Sequence, residues 1–276
     1  MDFLFSADIR SYKRMQNEEL REAFVTKPLF EEGQINLTYT DVDRGVVGGI
    51  MPLEQSIELP THKELAADYF CQRREAGVIN IGGAGEITVD GESFAMAKKD
   101  SLYIAKESKS VHFTSIDKAD PAKFYLVSYP AHRVTKTVHV PKAKAQSVDL
   151  GSQETSNERT IFQSIRPGIV DSCQLVMGIT ELKTGSVWNT KPPHTHYRRT
   201  EIYMYFDLPE EERVFHLMGE PKEVRTLPLE REVAIASPSW SIHSGVGSTN
   251  YTFIWAMGGE NQEFDDMDHI QVSELR

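Results

Sequence analysis

A chain of 276 residues with 39% hydrophobic and 26% charged side chains can bury a sizeable core, and none of its apolar runs approaches the roughly 20 residues that span a bilayer. The net charge of −11, with Lys and Arg scattered, argues against a nucleic-acid surface, which needs clustered cations for counterion release. Two cysteines, Cys71 and Cys173, do not make a disulfide framework, and the acidic start Met1-Asp2-Phe3-Leu4 does not read as a secretory signal, so a cytoplasmic location is expected.

Residues 1–30 read as a peripheral helical segment. Asn17 is the expected N-cap, Glu18 and Glu19 occupy the first turn, Leu20 and Phe24 share a face, and Pro28 is the stop. From Ile35 the pattern becomes β, with turn residues every eight to twelve positions as in a sandwich or barrel. The glycine-rich stretch Gly82-Gly83-Ala84-Gly85 is followed by strand alternation and an Asp90-Gly91 hairpin signal rather than a helix. It reads as a turn and not as a phosphate cradle.

Asp100–Ala105 followed by Val111-His112-Phe113 is echoed by Glu232–Ser237 followed by Ile242-His243-Ser244. The echo predicts two related β-barrels in tandem. The alternation lapses over residues 131–160, which reads as a linker, and the acidic tail from Asn261 reads as solvated surface. The domain boundary is placed accordingly: residues 1–135 hold the helical segment and a metal-free barrel, and residues 136–276 hold the linker and a metal-binding barrel.

The chemistry concentrates in Pro192-Pro193-His194-Thr195-His196-Tyr197-Arg198-Arg199-Thr200-Glu201. Two histidines one residue apart share a face in extended chain, and Glu201 on the next strand can reach the same point. With His243 they form three imidazoles and a carboxylate, a sound ligand set for a first-row divalent metal. His112, without a His-x-His…Glu partner, reads as structural. His216 reads as a strand residue beside the site, and His62, His132, His139 and His269 are assigned no role.

The segment resembles the cupin pattern His-x-His-x(4)-Glu…His, although Trp240 stands where the second motif carries glycine and Leu208 where a glycine follows the glutamate. Together with Trp240-Ser241-Ile242-His243 and Trp255-Ala256-Met257-Gly258-Gly259-Glu260, it is similar over essentially its whole length to the 5-keto-4-deoxyuronate isomerase family. The resemblance implies an all-β, tandem cupin-like (bicupin) jelly-roll fold and a homo-hexamer. It implies one zinc ion per chain on His194, His196, Glu201 and His243. It also implies conversion of 5-dehydro-4-deoxy-D-glucuronate to 3-deoxy-D-glycero-2,5-hexodiulosonate in pectin and uronate degradation, which is ketol-isomerase chemistry.

Ligand softness alone also admits iron, manganese, nickel or cobalt. The expected mechanism is Lewis-acid polarisation of the carbonyl, an enediolate, and proton transfer by a base, with a hydride shift as the alternative. Tyr251, Glu260 and a metal-bound hydroxide are conceivable bases, and none is singled out. Arg199, Arg166, Lys191 and Arg198 are candidates for the substrate carboxylate, with Tyr251 as a further substrate contact, and a guanidinium suits a carboxylate best. The rival readings are a cupin dioxygenase and a non-catalytic sugar-acid-binding cupin.

Overall fold

The period-two alternation becomes two sets of paired sheets with the same strand order. In the first half one sheet places Ile35–Thr40, Val46–Ile50, Phe124–Pro130, Arg74–Asn80 and Ser101–Ile104 side by side. The other places Ile57–Glu58, Val111–Ser115, Gly85–Val89 and Glu92–Met96 side by side. In the second half the neighbours are Arg159–Ile165, Val176–Leu182, Thr252–Gly259, Arg199–Phe206 and Ala234–Ser237. Its second sheet runs Trp188–Asn189, Ile242–Gly247, Val214–Gly219 and Arg225–Leu229. The order is identical, so the faint echo in the sequence is a duplicated topology. The all-β, cupin-like fold expected from the sequence is what this computed structural model, which describes all 276 residues, contains.

Two compact units emerge. The first comprises Met1–Phe3, Pro28–Ala145 and Ser164–Met177, and the second Leu4–Lys27, Gln146–Gln163 and Gly178–Arg276. In the first, Val78, Leu102, Ile104, Phe113, Phe124 and Leu126 are buried, each contributing about 1.5–3 kcal/mol through area removed from water. The glycine-rich stretch is the turn between Arg74–Asn80 and Gly85–Val89. A Cβ on Gly83 would lie 1.9 Å from the Asp120 carbonyl oxygen, so close backbone approach accounts for the glycine. Asp90 and Gly91 have φ of 49° and 88° between paired Val89 and Glu92, as a two-residue hairpin turn requires.

Register also explains why the first unit gathers no ligands. Glu201 stands opposite Ser237, and the equivalent position opposite Ile104 is Ala76. His112, the counterpart of His243, is half-buried and pairs with Glu58 and Thr88. The fully buried Glu75 instead accepts the backbone N–H groups of Cys173, Gln174 and Leu175 at 2.6–2.8 Å and the Tyr103 hydroxyl at 2.7 Å. These bonds tie the Ser164–Met177 excursion into the first unit.

Three sequence expectations are revised. The helix runs Asn17–Phe24 with Gln16, not Asn17, as its N-cap; the Gln16 N–H donates to Glu19 Oε2 at 2.6 Å. It ends before Pro28 because Val25 bridges Ile235 and the Thr26 N–H donates to the Ala234 oxygen at 2.8 Å. This segment packs in the second unit, not with residues 1–135. Trp240 is the reason: its ring lies 4.8 Å from that of Tyr12 and 6.3 Å from that of Phe24. Finally, the stretch read as a linker, 131–160, carries the strands Val138–Val140 and Gln146–Leu150.

Candidate metal centre

His194 lies on the short strand His194–Thr195, paired with Asp268–His269, and Tyr197-Arg198 then turn the chain into Arg199–Phe206. The turn is closed by the Arg199 N–H donating to the His196 oxygen at 3.0 Å. It brings the two imidazoles within 5.3 Å of each other, centroid to centroid. Glu201 projects from the third position of Arg199–Phe206, and His243 from the second position of Ile242–Gly247. All four side chains are buried, and one donor atom from each lies within 4.8 Å of the others.

The contacts are close. Glu201 Oε2 is 2.8 Å from His243 Nε2 and 3.1 Å from His196 Nε2, and His243 Nε2 is 3.0 Å from His194 Nε2. Two Nε2 atoms facing each other at that distance, beside a carboxylate oxygen, need a proton or a cation among them. Burial, and after it the neighbouring His243, pushes His194 well below the ordinary imidazole range, so it stands neutral with a lone pair to give. Burial also opposes charge on His196, but its bond to the Glu201 carboxylate prevails and raises it. Burial works against a charged Glu201 too, yet the imidazoles of His243 and His196 hold its carboxyl below the usual carboxylate range. An anionic oxygen and three imidazole nitrogens without sulfur fit a borderline divalent ion.

A cavity of about 320 Å³ reaches His194 and Glu201. Tyr203, Phe253, Trp255 and Met257 give it a largely apolar wall. Leu150, Asn157, Arg159 and Ile161 form another, and Phe264, Met267 and His269 come from the C-terminal segment. Its size lies at the low end of the range for small-molecule sites.

Residues 24–272 match the KduI/IolB family. The chain belongs to that family. It is 49% identical to a 4-deoxy-L-threo-5-hexosulose-uronate ketol-isomerase from Lachnoclostridium phytofermentans, over all of both chains. It is 48% identical to the protein of the same name from Dickeya dadantii, over 96% of each chain. An IolB-like protein from Salmonella typhimurium LT2 shares the fold with a TM-score of 0.65 at 13% identity, over 87% of this chain and 94% of that one. This member of the KduI/IolB family is an enzyme of the ketol-isomerase class.

The other residues singled out in the sequence fall in different places. Lys191 lines the cavity, but its Nζ donates to the Thr155 oxygen at 3.0 Å and sits 4.6 Å from the centre of the Trp188 ring. Arg199 is buried and does not line the cavity; its Nη2 donates to the Asp266 backbone oxygen at 2.8 Å, and its Nε lies 3.7 Å from the Asp266 carboxylate. Arg198 pairs with Asp266 and Asp268. Arg166 belongs to the first unit, where its Nε donates to the Pro167 oxygen at 3.1 Å. The Tyr251 hydroxyl accepts from Asn189 at 2.9 Å and donates to the Gly245 oxygen at 3.0 Å, and Glu260 is exposed. Neither Tyr251 nor Glu260 lines the cavity.

Two lining groups had no signal in the sequence. Arg159 lies in what reads as linker, and His269 in what reads as acidic surface; its ring is 5.9 Å from that of His194. Only the antiparallel pairing of Asp268–His269 with the ligand strand reveals the second.

Proposed function

We propose that this enzyme is a metal-dependent isomerase converting 5-dehydro-4-deoxy-D-glucuronate to 3-deoxy-D-glycero-2,5-hexodiulosonate in pectin and uronate degradation. The observation that carries the reading is the convergence of four buried donors, two of which, His194 and Glu201, line one small, largely apolar cavity. The names of relatives at 48–49% identity supply the substrate.

His194, His196, Glu201 and His243 would hold the ion, and zinc is the metal carried over from the family resemblance. When bound, a divalent ion supplies Lewis-acid polarisation of the substrate carbonyl and stabilises the negative charge that develops there. One carboxylate and three neutral imidazoles leave such an ion with net positive charge. The His196 Nδ1 hydrogen bond to the Arg199 oxygen keeps Nε2 pointed inward. Tyr203 lines the cavity with its hydroxyl 2.8 Å from Thr190 Oγ1. Burial, and after it the Glu201 carboxylate, raises its pKa well above the usual phenol value, so it serves as a hydrogen-bond donor to a substrate oxygen and not as a base. Apolar walls exclude water and strengthen these electrostatic contacts. A homo-hexamer comes from the same resemblance, and sedimentation velocity checks it.

Metal-loaded protein given the uronate and followed by NMR in D₂O tests the reading. Product carrying deuterium at the carbon next to the carbonyl is expected for proton transfer, and product without it indicates a hydride shift. No product under argon from a metal-replete sample overturns the isomerase, and oxygen uptake with substrate would favour a dioxygenase.

A further inference from the structure

We infer that Arg159 is the carboxylate subsite of the cavity, a role that rests on the uronate reading above. Arg159 opens the strand Arg159–Ile165, lines the cavity and is only 8% exposed. Its side chain makes one hydrogen bond, from Nη1 to the Asn157 oxygen at 2.9 Å, and no acidic side chain pairs with it. Three of the other cations considered for the carboxylate are engaged elsewhere: Arg198 and Arg199 by Asp266, and Lys191, which shares the cavity, by the Thr155 oxygen and the Trp188 ring.

A buried guanidinium without a counter-ion is unfavourable, because desolvation of the charge is not offset. Burial accordingly lowers the pKa of Arg159 below the ordinary arginine value, although the group stays charged. Such an arrangement is maintained where a ligand brings the missing anion.

The surrounding chain orients the fork rather than neutralising it. Asn157, itself buried, accepts from the Ser152 N–H at 3.2 Å and from the Thr155 hydroxyl at 2.5 Å through Oδ1, which fixes the carbonyl that holds Nη1. The other guanidinium N–H groups are left for a planar acceptor, and a carboxylate accepts two of them in parallel. A uronate carries a carboxylate at one end and the reacting carbonyl towards the other. One cavity containing Arg159 together with His194 and Glu201 therefore provides for both ends.

The rival role for Arg159 is structural, holding the 151–157 loop through Asn157. Steady-state kinetics on metal-loaded Arg159→Gln and Arg159→Lys, with metal content and melting temperature measured alongside, separate the two. The subsite predicts a roughly ten- to hundredfold rise in KM for Arg159→Gln, a smaller change in kcat, unchanged metal content, and partial recovery in Arg159→Lys. It also predicts that the wild type binds D-galacturonate more tightly than D-galactose and that Arg159→Gln loses the preference. An unchanged KM, or a wild type that does not prefer the acid, overturns the proposal. If Arg159→Gln does not fold, the wild-type preference and the Arg159→Lys kinetics decide it. If the wild type fails to isomerise the uronate, the functional reading falls; calorimetry of the acid against the neutral sugar on wild type and Arg159→Lys still decides the role of Arg159.

Discussion

The Nδ1 proton of His196 is committed to the backbone oxygen of Arg199, 2.9 Å away across the turn that links the two ligand-bearing segments. A carbonyl only accepts, so this bond selects the tautomer and leaves the Nε2 lone pair facing Glu201. Without metal, Nε2 can take a proton and donate it to the carboxylate, which is why the His196 pKa is raised above that of free imidazole.

On the proposed ligand set, metal and proton would therefore compete for one lone pair. As pH falls through the raised value, metal affinity is expected to drop by about tenfold per pH unit for the one proton displaced. The metal-free protein shows the opposite sign. The His196–Glu201 pair stabilises it fully below the unfolded imidazole value, and that stability is lost as pH rises through the folded value. Calorimetric titration of metal in buffers of different ionisation enthalpy reads the released proton, and no proton release would contradict the assignment.

Glu201→Gln keeps the shape and removes the charge. The amide loses the anionic oxygen that both His243 and His196 approach, and on the proposed ligand set a divalent ion would lose its only carboxylate. Affinity should fall by more than the roughly 10–100-fold typical of outer groups that merely orient ligands, and turnover should fall with metal content. Retention of stoichiometric metal, measured by elemental analysis after dialysis, would contradict the ligand set.

The clustering of the four donors is legible because the spacing of His194, His196 and Glu201 is dictated by the strand period and a short turn, and that of His243 because the duplicated topology repeats its setting. The cavity wall was not. Gln146–Leu150 buries neither face, so its residues show no alternation and read as linker, yet Leu150 and, opposite it, Arg159 line the cavity. The acids of the tail read as solvated surface, although Phe264 and Met267 turn into the cavity and Asp266 is held by two arginines. Both misreadings have one cause. Polar composition marks exposure only where no partner from a distant segment covers it, and pairing between distant segments has no local signature.

His216 shows what burial without a metal does to an imidazole. It is fully enclosed, its Nδ1 shares a proton with the Tyr205 hydroxyl at 2.8 Å, and its Nε2 has no partner. Burial, and after it His243, lowers its pKa from 6.5 to about 3. The unfolded chain takes up this proton below about 6.5 and the folded chain does not, so stability falls as pH drops from 6.5 towards 3. The full span corresponds to on the order of 4–5 kcal/mol. His216→Gln should flatten the acid side of a plot of melting temperature against pH; an unchanged slope would show that the acid sensitivity arises elsewhere.

Asp266 latches the C-terminal segment onto the ligand turn. Its carboxylate takes Arg198 at 2.8 Å and Asn261 at 2.7 Å and lies 3.7 Å from Arg199 Nε, while its backbone oxygen takes Arg199 Nη2. Hydrogen bonding from Arg198 holds its carboxyl down at about 2. Its contribution is therefore present above the unfolded carboxylate value and is lost as pH falls through about 2. Asp266→Ala leaves the buried Arg199 guanidinium without its carboxylate, a change expected to cost about 2 kcal/mol or more. It should also free the segment that carries Met267 and His269, which line the cavity, and Asp268, which pairs with the ligand strand. Faster proteolytic cleavage within residues 261–270, with a raised KM at undiminished metal content, is the expected pattern. A melting temperature and cleavage rate equal to those of the wild type would show that the pairing of Asp268–His269 with His194–Thr195 holds the segment by itself.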